Sequence, residues 1–561
     1  MNLYMSLRLW LGAISGGNKS WRSLALNSVL VTAALCSACA TTVALPVSTV
    51  VNHGVTLATT SQPLTVLAPA EPRSSASREF INVLARTAPG ATATVNGVAA
   101  PVFATGVFVR DKVPLAIGMN TLTIEVTLPG GERQSRVIEV TRLAATTAGQ
   151  PTSTAPPPSP PSPPSPPSPA SPLPLVEMQA LFVTAPGGAD LTWGVHDVRL
   201  GGPNLAELPA GVLLRATGQQ GEYGRVQLGS TEAWVPLRSL HPSATGTTMP
   251  RHVFTTLSVA GATAAQAGGV SPADVVTIPW PSNLPSSVRS AVTPEGWPYL
   301  EVDLYGTHNA ATWVTHRTSA QVVREATVDQ VAPQHVRVRI TLKQPHLWGW
   351  RIERDAHALR VVVHEPPTLA QGAASPLQGL LIALEAGHGG PTNLGAVGAT
   401  GVPEKDVNRW TVQALKAELE GVGARVMLVR EGDENPSLRE RAERVNNSDA
   451  QLFISVHANS ADTHNGYLRA AGTSTYYKHS HSRDLAVAIQ RRLLSETALP
   501  DFGVVGGFNY APIRLVSHVP AVLVEQAFMS HPGEEALLLD AAFRARLAKA
   551  VRLGLEDHLR R

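Results

Sequence analysis

The chain has 561 residues, too many for one hydrophobic core, and its length suggests about three to five domains. Its 45 Lys and Arg against 42 Asp and Glu leave a net charge of +3, and no Lys/Arg block of the kind that binds nucleic acid is present. Both cysteines, Cys36 and Cys39, lie near the N-terminus. The rest of the chain can hold neither a disulfide nor a thiolate metal site, so a metal there needs His, Asp or Glu.

Residues 1–40 read as an export signal. Lys19 and Arg22 precede the apolar run LALNSVLVTAAL at 24–35, which is too short to span a bilayer. Ser37-Ala38-Cys39 resembles a lipoprotein processing box, and Ala38-Cys39-Ala40 also fits ordinary signal cleavage. The expected location is the cell envelope or periplasm, with Cys39 a candidate lipid anchor.

Three β-rich regions follow. In 45–145, Asn96-Gly97 and Gly130-Gly131 predict hairpin turns, and Leu122, Ile124, Val126 and Leu128 alternate with polar residues as in a half-buried strand. The order of these segments resembles the small immunoglobulin-like modules of bacterial surface proteins. Residues 146–177 contain PTSTAPPPSPPSPPSPPSPASPLP, where proline removes donors and fixes φ, so a polyproline II spacer is expected. Residues 178–244 resemble a bacterial Src-homology-3-like barrel, with Ala233-Trp234-Val235 in its closing strand; such a barrel binds wall peptides or serves as a β spacer. In 250–368, YLEVDLYG (299–306), HVRVRITLK (335–343) and HALRVVVHE (357–365) alternate well, and the region resembles a β-sandwich targeting module. Trp348 and Trp350 there suit core packing better than a sugar-stacking platform.

From residue 377 the pattern changes to alternating strands and helices, which argues α/β. The predicted strands are 380–384, 424–429, 451–457, 472–478, 512–516 and 520–525. Val407, Trp410, Ala414 and Ala417 share one face of a helix starting near Glu404. Ser437 and Glu440 form a capping box. Leu485, Ile489 and Leu493 stripe another helix, and the tail from Gly533 is helical. The expected fold is multidomain: a C-terminal α/β domain over 377–561 with a mostly parallel six-stranded sheet covered by helices, preceded by three small all-β domains.

Open α/β sheets bind ligands outside the carboxyl ends of their strands. His388 follows the first of these strands, His457 closes the third and Glu525 closes the last, while Glu404 opens the helix after a glycine-rich loop. Two imidazoles and a carboxylate suit Zn²⁺ with an open fourth position. The glycines at 387, 389 and 390 would let the backbone turn sharply and a substrate approach the metal. Spacing alone leaves another reading open, in which His388 is a loop histidine, His457 a buried neutral one, and the carboxylates a helix-start charge and a surface residue. His479 and His481 read as solvated loop residues.

The ordered set Gly387-His388-Gly389-Gly390, Glu404-Lys405, Ser455-Val456-His457-Ala458-Asn459 and Val522-Leu523-Val524-Glu525-Gln526-Ala527-Phe528 resembles the signature of the zinc-dependent N-acetylmuramoyl-L-alanine amidases. Gly395-Ala396, Arg430, Asp433, Leu438, Arg441, Asn446, Arg514 and Pro520 support it. The resemblance covers 378–560 and implies Zn²⁺ on His388, Glu404 and His457, with Glu525 as the catalytic base. It also implies peptidoglycan as substrate, cut at the amide joining N-acetylmuramic acid to L-alanine. Glu385-Ala386 stands where the family usually has Asp-Pro, which makes Glu385 a candidate outer support for a ligand. Asn459 and Arg514 are candidates for orienting the substrate. A monomer is expected, without nucleic-acid partners. A wall-binding envelope protein with a degenerate amidase domain, or a zinc peptidase acting within the stem peptide, are the alternatives.

Overall fold

The structure, a computed structural model, describes residues 63–144, 174–195, 203–263 and 272–560. The export signal, Cys39 and nearly all of the Pro/Ser-rich spacer lie outside these residues.

Before residue 370 the described chain is built of strands. Thr65–Ala68, Phe80–Arg86 and Val107–Pro114 form one sheet; Arg73–Ala76, Arg133–Arg142, Gly118–Thr127, Thr92–Val95 and Val98–Ala100 form another. Val95 pairs with Val98 across Asn96-Gly97, where φ is +50° and +75°, the two-residue turn that this dipeptide favours. Leu122, Ile124 and Val126 point into the apolar cluster enclosed here. A seven-stranded sheet runs from Val176 to Pro242, so regular structure starts within the expected spacer end at 177. A five-stranded and a four-stranded sheet then enclose an apolar cluster between Phe254 and Val363. Trp348 and Trp350 are 6% and 1% exposed, which makes them packing residues.

The C-terminal region is numbered from its own start. Its elements are β1 Leu381–Ala386, α1 Glu404–Gly421, β2 Arg425–Leu428, α2 Leu438–Asn446, β3 Leu452–Asn459, β4 Thr473–Tyr477, α3 Arg483–Thr497, β5 Asp501–Val505, α4 Ala511–Leu515, β6 Ala521–Phe528, α5 Pro532–Leu539 and α6 Ala541–Leu559. The sheet order is β2-β1-β3-β6-β4-β5. The first four are parallel; β4 runs antiparallel to β6, and β5 is parallel to β4. The sheet is therefore mixed. Ile382, Leu384, Phe453, Ile454, Val522 and Val524 are buried at its centre, as strands covered on both faces require. α1 and α3 pack on α6, and α2 packs on α4. The Ser437 capping box is present, with Ser437 Oγ accepting from Glu440 N and the Glu440 carboxylate from Ser437 N.

Several expectations change. Residues 512–516 are not a strand: 511–515 form helix α4, and the sixth strand is β5. A short apolar run does not distinguish helix from strand, and Pro512 fits a first helical turn, where its missing N–H costs nothing. β5 is an exposed edge and carries little hydrophobic signal. β6 runs on to Phe528 and β3 to Asn459, so Glu525 and His457 sit within their strands rather than at their ends. The C-terminal helix breaks at Asp540, whose carboxylate accepts from Ala542 N and Phe543 N, both at 3.1 Å.

The β-rich regions meet the α/β region at defined places. Asn82 Nδ2 donates to Thr463 O at 2.8 Å, and the Asp111 carboxylate accepts from Tyr467 N and Leu468 N, both at 3.0 Å. Trp350 N donates to Ser517 O at 2.8 Å, and His479 and His481 pack edge-on against the Trp350 ring with centroids 5.0 and 5.1 Å away. These two histidines are interface groups, contrary to the expected solvated loop, because α4 and the Trp350 strand cover them. No helix among the described residues is long and apolar enough to cross a membrane.

Candidate metal centre

The end of β1 is shaped to bring three side chains together. His388 has φ +62°, a left-handed conformation that costs a non-glycine residue energy and marks a constrained site. A Cβ on Gly387 would stand 2.2 Å from Cε1 of His457. A Cβ on Gly395 would stand 2.5 Å from Glu404 Oε2 and 2.7 Å from His388 Cδ2. Glycine at 387 and 395 thus makes room for the ligand side chains themselves, rather than for the approach of a substrate. Glu404 opens α1 as the loop folds back, with its N–H on Ala396 O at 2.7 Å.

His388 Nε2 lies 3.2 Å from Glu404 Oε2, and His457 Nδ1 lies 3.1 Å from Glu404 Oε1. One ligand atom from each residue falls within 4.8 Å of the others. Glu404 is held from three further directions: Ala396 N donates to Oε2 at 2.9 Å, while Ala458 N and Asn408 Nδ2 each donate to Oε1 at 3.1 Å. Burial raises the Glu404 pKa, but hydrogen bonds and charge from His388 and His457 outweigh it and hold the carboxyl well below its usual range. For His457, burial pulls the pKa down, and the bond and charge of Glu404, with smaller help from Glu525 and Glu385, raise it on balance.

The lone pairs face inward because Arg441 orients both rings. Arg441 is fully buried and can only donate. Its Nη2 donates to Asn435 Oδ1 at 3.3 Å, which also accepts from Asn393 Nδ2 at 3.0 Å. Asn393 must then turn Oδ1 toward His388 Nδ1, 2.8 Å away, which places the proton on Nδ1 and leaves Nε2 free. On the other branch Arg441 Nη1 donates to Glu385 Oε1 at 2.9 Å, Tyr510 Oη donates to the same oxygen at 3.3 Å, and Oη lies 3.3 Å from His457 Nε2. Oη accepts from Nε2–H, so Nδ1 is the free nitrogen. Two imidazole lone pairs and one carboxylate, each backed by an outer hydrogen bond, form a donor set that fits a divalent metal ion.

Glu385 therefore reaches His457 through Tyr510, and His388 through Arg441. Glu525 lies beside His457 in the parallel register of β3 and β6, on the same face of the sheet and about 4.8 Å away along the hydrogen-bonding direction. Asn459 closes β3, and its Nδ2 is 3.5 Å from Tyr476 Oη. Arg514 is not brought into this group; its guanidinium bonds the Asp190 carboxylate at 3.0 and 3.2 Å.

A family model described as N-acetylmuramoyl-L-alanine amidase matches residues 382–557. A germination-specific N-acetylmuramoyl-L-alanine amidase of Bacillus subtilis is 30% identical over 201 residues, which cover 32% of this chain and 80% of that protein. This chain belongs to the N-acetylmuramoyl-L-alanine amidases. The uncharacterized protein YqiI of Bacillus subtilis is 33% identical to this amidase over 190 residues, 33% of this chain and 88% of YqiI. The solved catalytic domain of CwlV, an amidase from Bacillus (Paenibacillus) polymyxa, is 31% identical, with a TM-score of 0.30, covering 32% of this chain and 98% of that one.

Several groups that serve the amidase centre escaped the sequence reading. Asn408 carried a local signal, since it stands one helical turn after Glu404 and so shares its face. Asn393, five residues after His388, and Tyr510, 53 residues after His457, carried none, because both sit in loops without periodicity.

Proposed function

We propose that this amidase hydrolyses the amide between N-acetylmuramic acid and L-alanine in peptidoglycan, with Zn²⁺ held by His388, Glu404 and His457. The observation that carries this reading is the convergence of His388 Nε2, His457 Nδ1 and the Glu404 carboxylate beside Glu525. When bound, Zn²⁺ supplies Lewis acidity that acidifies water and polarises the scissile carbonyl. Glu404, fully ionised at neutral pH, balances the charge. Glu525 takes the proton from the attacking water and passes it to the leaving amine nitrogen of L-alanine. Asn459, at the end of β3, is placed to orient the substrate. Arg514 is better read as an interdomain anchor through Asp190.

The β-rich regions are three modules in this reading, an immunoglobulin-like one (45–145), a Src-homology-3-like one (178–244) and a targeting-like sandwich (250–368), that hold a monomeric enzyme on the wall. The chain is exported to the envelope and is lipid-anchored at Cys39; Cys39→Ala then releases it into the soluble envelope fraction, and unchanged partitioning excludes the anchor. The test of the activity is digestion of purified wall followed by mass spectrometry. Free stem peptides beginning at L-alanine support the proposal. Cleavage within the stem indicates a peptidase, and binding without cleavage indicates a degenerate domain.

A further inference from the structure

A cavity of about 930 Å³ lies away from the metal centre, between the 176–242 sheet, the 252–364 sheets and the α2/α4 side of the catalytic region. Its volume is at the upper end of the range of small-ligand sites. One wall, from the 176–242 sheet, is largely apolar and presents Trp193, Leu205 and Leu208; the other two walls are cationic.

The cations divide into two sets. Arg289 pairs with Glu301, Arg439 with Glu207, Arg337 with Asp303 at 2.8 Å and Arg514 with Asp190 at 3.0 Å. Three more line the same cavity without such partners. Among the described residues no carboxylate pairs with Arg351 or Lys478, and Arg354 bonds only the Ser286 hydroxyl, at 3.0 Å. We infer that this cleft binds a short acidic peptide, with Arg354 and Lys478 taking its carboxylates and the Trp193 wall its apolar side chains. A guanidinium fork matches a carboxylate with two parallel bonds. The apolar wall favours such an organic anion over a bare inorganic one.

The electrostatics of the cleft agree. Burial pushes Arg354 down to about 10, with only the Glu207 charge opposing it, and burial with the neighbouring Arg514 lowers Lys478. An anion in the cleft relieves both. The inference rests on the proposed reaction for its ligand, since cleavage of the muramoyl amide frees a short peptide bearing carboxylates. The cleft would then hold the enzyme on stem peptides beyond the one being cut.

Isothermal titration of the full chain with a synthetic stem tetrapeptide tests this, alongside the same peptide with its carboxylates amidated and inorganic phosphate. Wild type is expected to bind the acidic peptide and not the amidated one. Arg354→Gln with Lys478→Gln is expected to weaken binding about tenfold or more, the loss of at least one charged hydrogen bond, while kcat and KM on a soluble muropeptide stay unchanged. If the double variant does not fold, Lys478→Gln alone carries the test. Wild-type affinity in the variant overturns the inference, and so does phosphate binding as tight as the peptide's. Hydrolysis of muropeptide without peptide binding at the cleft sinks this inference only; binding without hydrolysis sinks the proposed reaction only.

Discussion

Replacing Gly387 by alanine isolates the packing that builds the metal centre. The added Cβ falls 2.2 Å from Cε1, 2.3 Å from Nε2 and 2.5 Å from Nδ1 of His457, where real Cβ contacts are essentially never under 3.0 Å. The backbone there cannot yield easily: Gly387 N donates to Val456 O at 2.9 Å, and Arg430 Nη2 donates to Gly387 O at 3.3 Å. The imidazole must therefore retreat by about 1 Å, and a misplacement of that size costs about 10²-fold in rate. Metal affinity should fall as well, by about 10–100-fold, as it does when the support of a ligand is lost. Gly421→Ala is the control, because a Cβ there meets nothing within 4 Å. Chelator competition gives the affinity, and muropeptide hydrolysis the rate. A Gly387→Ala protein with wild-type zinc affinity and turnover would refute the reasoning.

Glu525→Gln should keep metal content and Tm near wild type while turnover falls by about 10²–10⁴-fold, whereas His388→Ala or His457→Ala should lower zinc occupancy itself; metal loss in Glu525→Gln would remove its role as base. Arg441→Met leaves the Glu385 charge buried without its cation and should cost about 3–5 kcal/mol in urea unfolding; a loss under about 1 kcal/mol would mean that Arg441 does not anchor the pair. Burial, with the nearby Arg351 charge, lowers His364 to about 4 and, with Arg351 and His364, lowers His518 to about 3. Burial also lowers His479 to about 4, the Arg514 carbonyl opposing and the Lys478 and Arg514 charges adding to it. Each is neutral when folded and protonates first in the unfolded chain, so the stability it contributes is intact above about pH 6.5 and is lost as pH falls toward 4, by up to about 1.4 kcal/mol per unit and group. Tm should drop between pH 7 and 5 and drop less in His518→Gln; a flat profile would contradict the burial of these rings.

The candidate metal-site residues were legible because chemistry near strand ends leaves local marks: Gly387-His388-Gly389-Gly390, His457 two residues before the end of β3, and Glu404 at a helix start. The α/β pattern and the Ser437 cap were legible for the same reason. What stayed hidden depends on distant partners. Residues 511–515 become helical with Arg514 drawn to Asp190, a residue in another sheet, and His479 packs edge-on against Trp350. The role of Arg441 appears only when β1, the 393 loop and the 510 loop meet around it, since Glu385 and His388 lie 56 and 53 residues before it.

Asn82 and Asp111 hold the 463–468 loop, just beyond Asn459, by its carbonyls and amides rather than by its side chains. A grip of that kind is blind to composition. The loop can exchange almost every side chain it turns toward solvent and still be clasped. Gly466 is the exception: its φ is +124°, and a Cβ there would stand 2.7 Å from Asp111 Oδ2. Drift at the solvent-facing positions of this rim is therefore free, with Gly466 and Tyr467, which packs on Leu84, Val107 and Val109, held fixed, so the exposed surface there can be retuned to a different wall without renegotiating how the first β-rich region is docked.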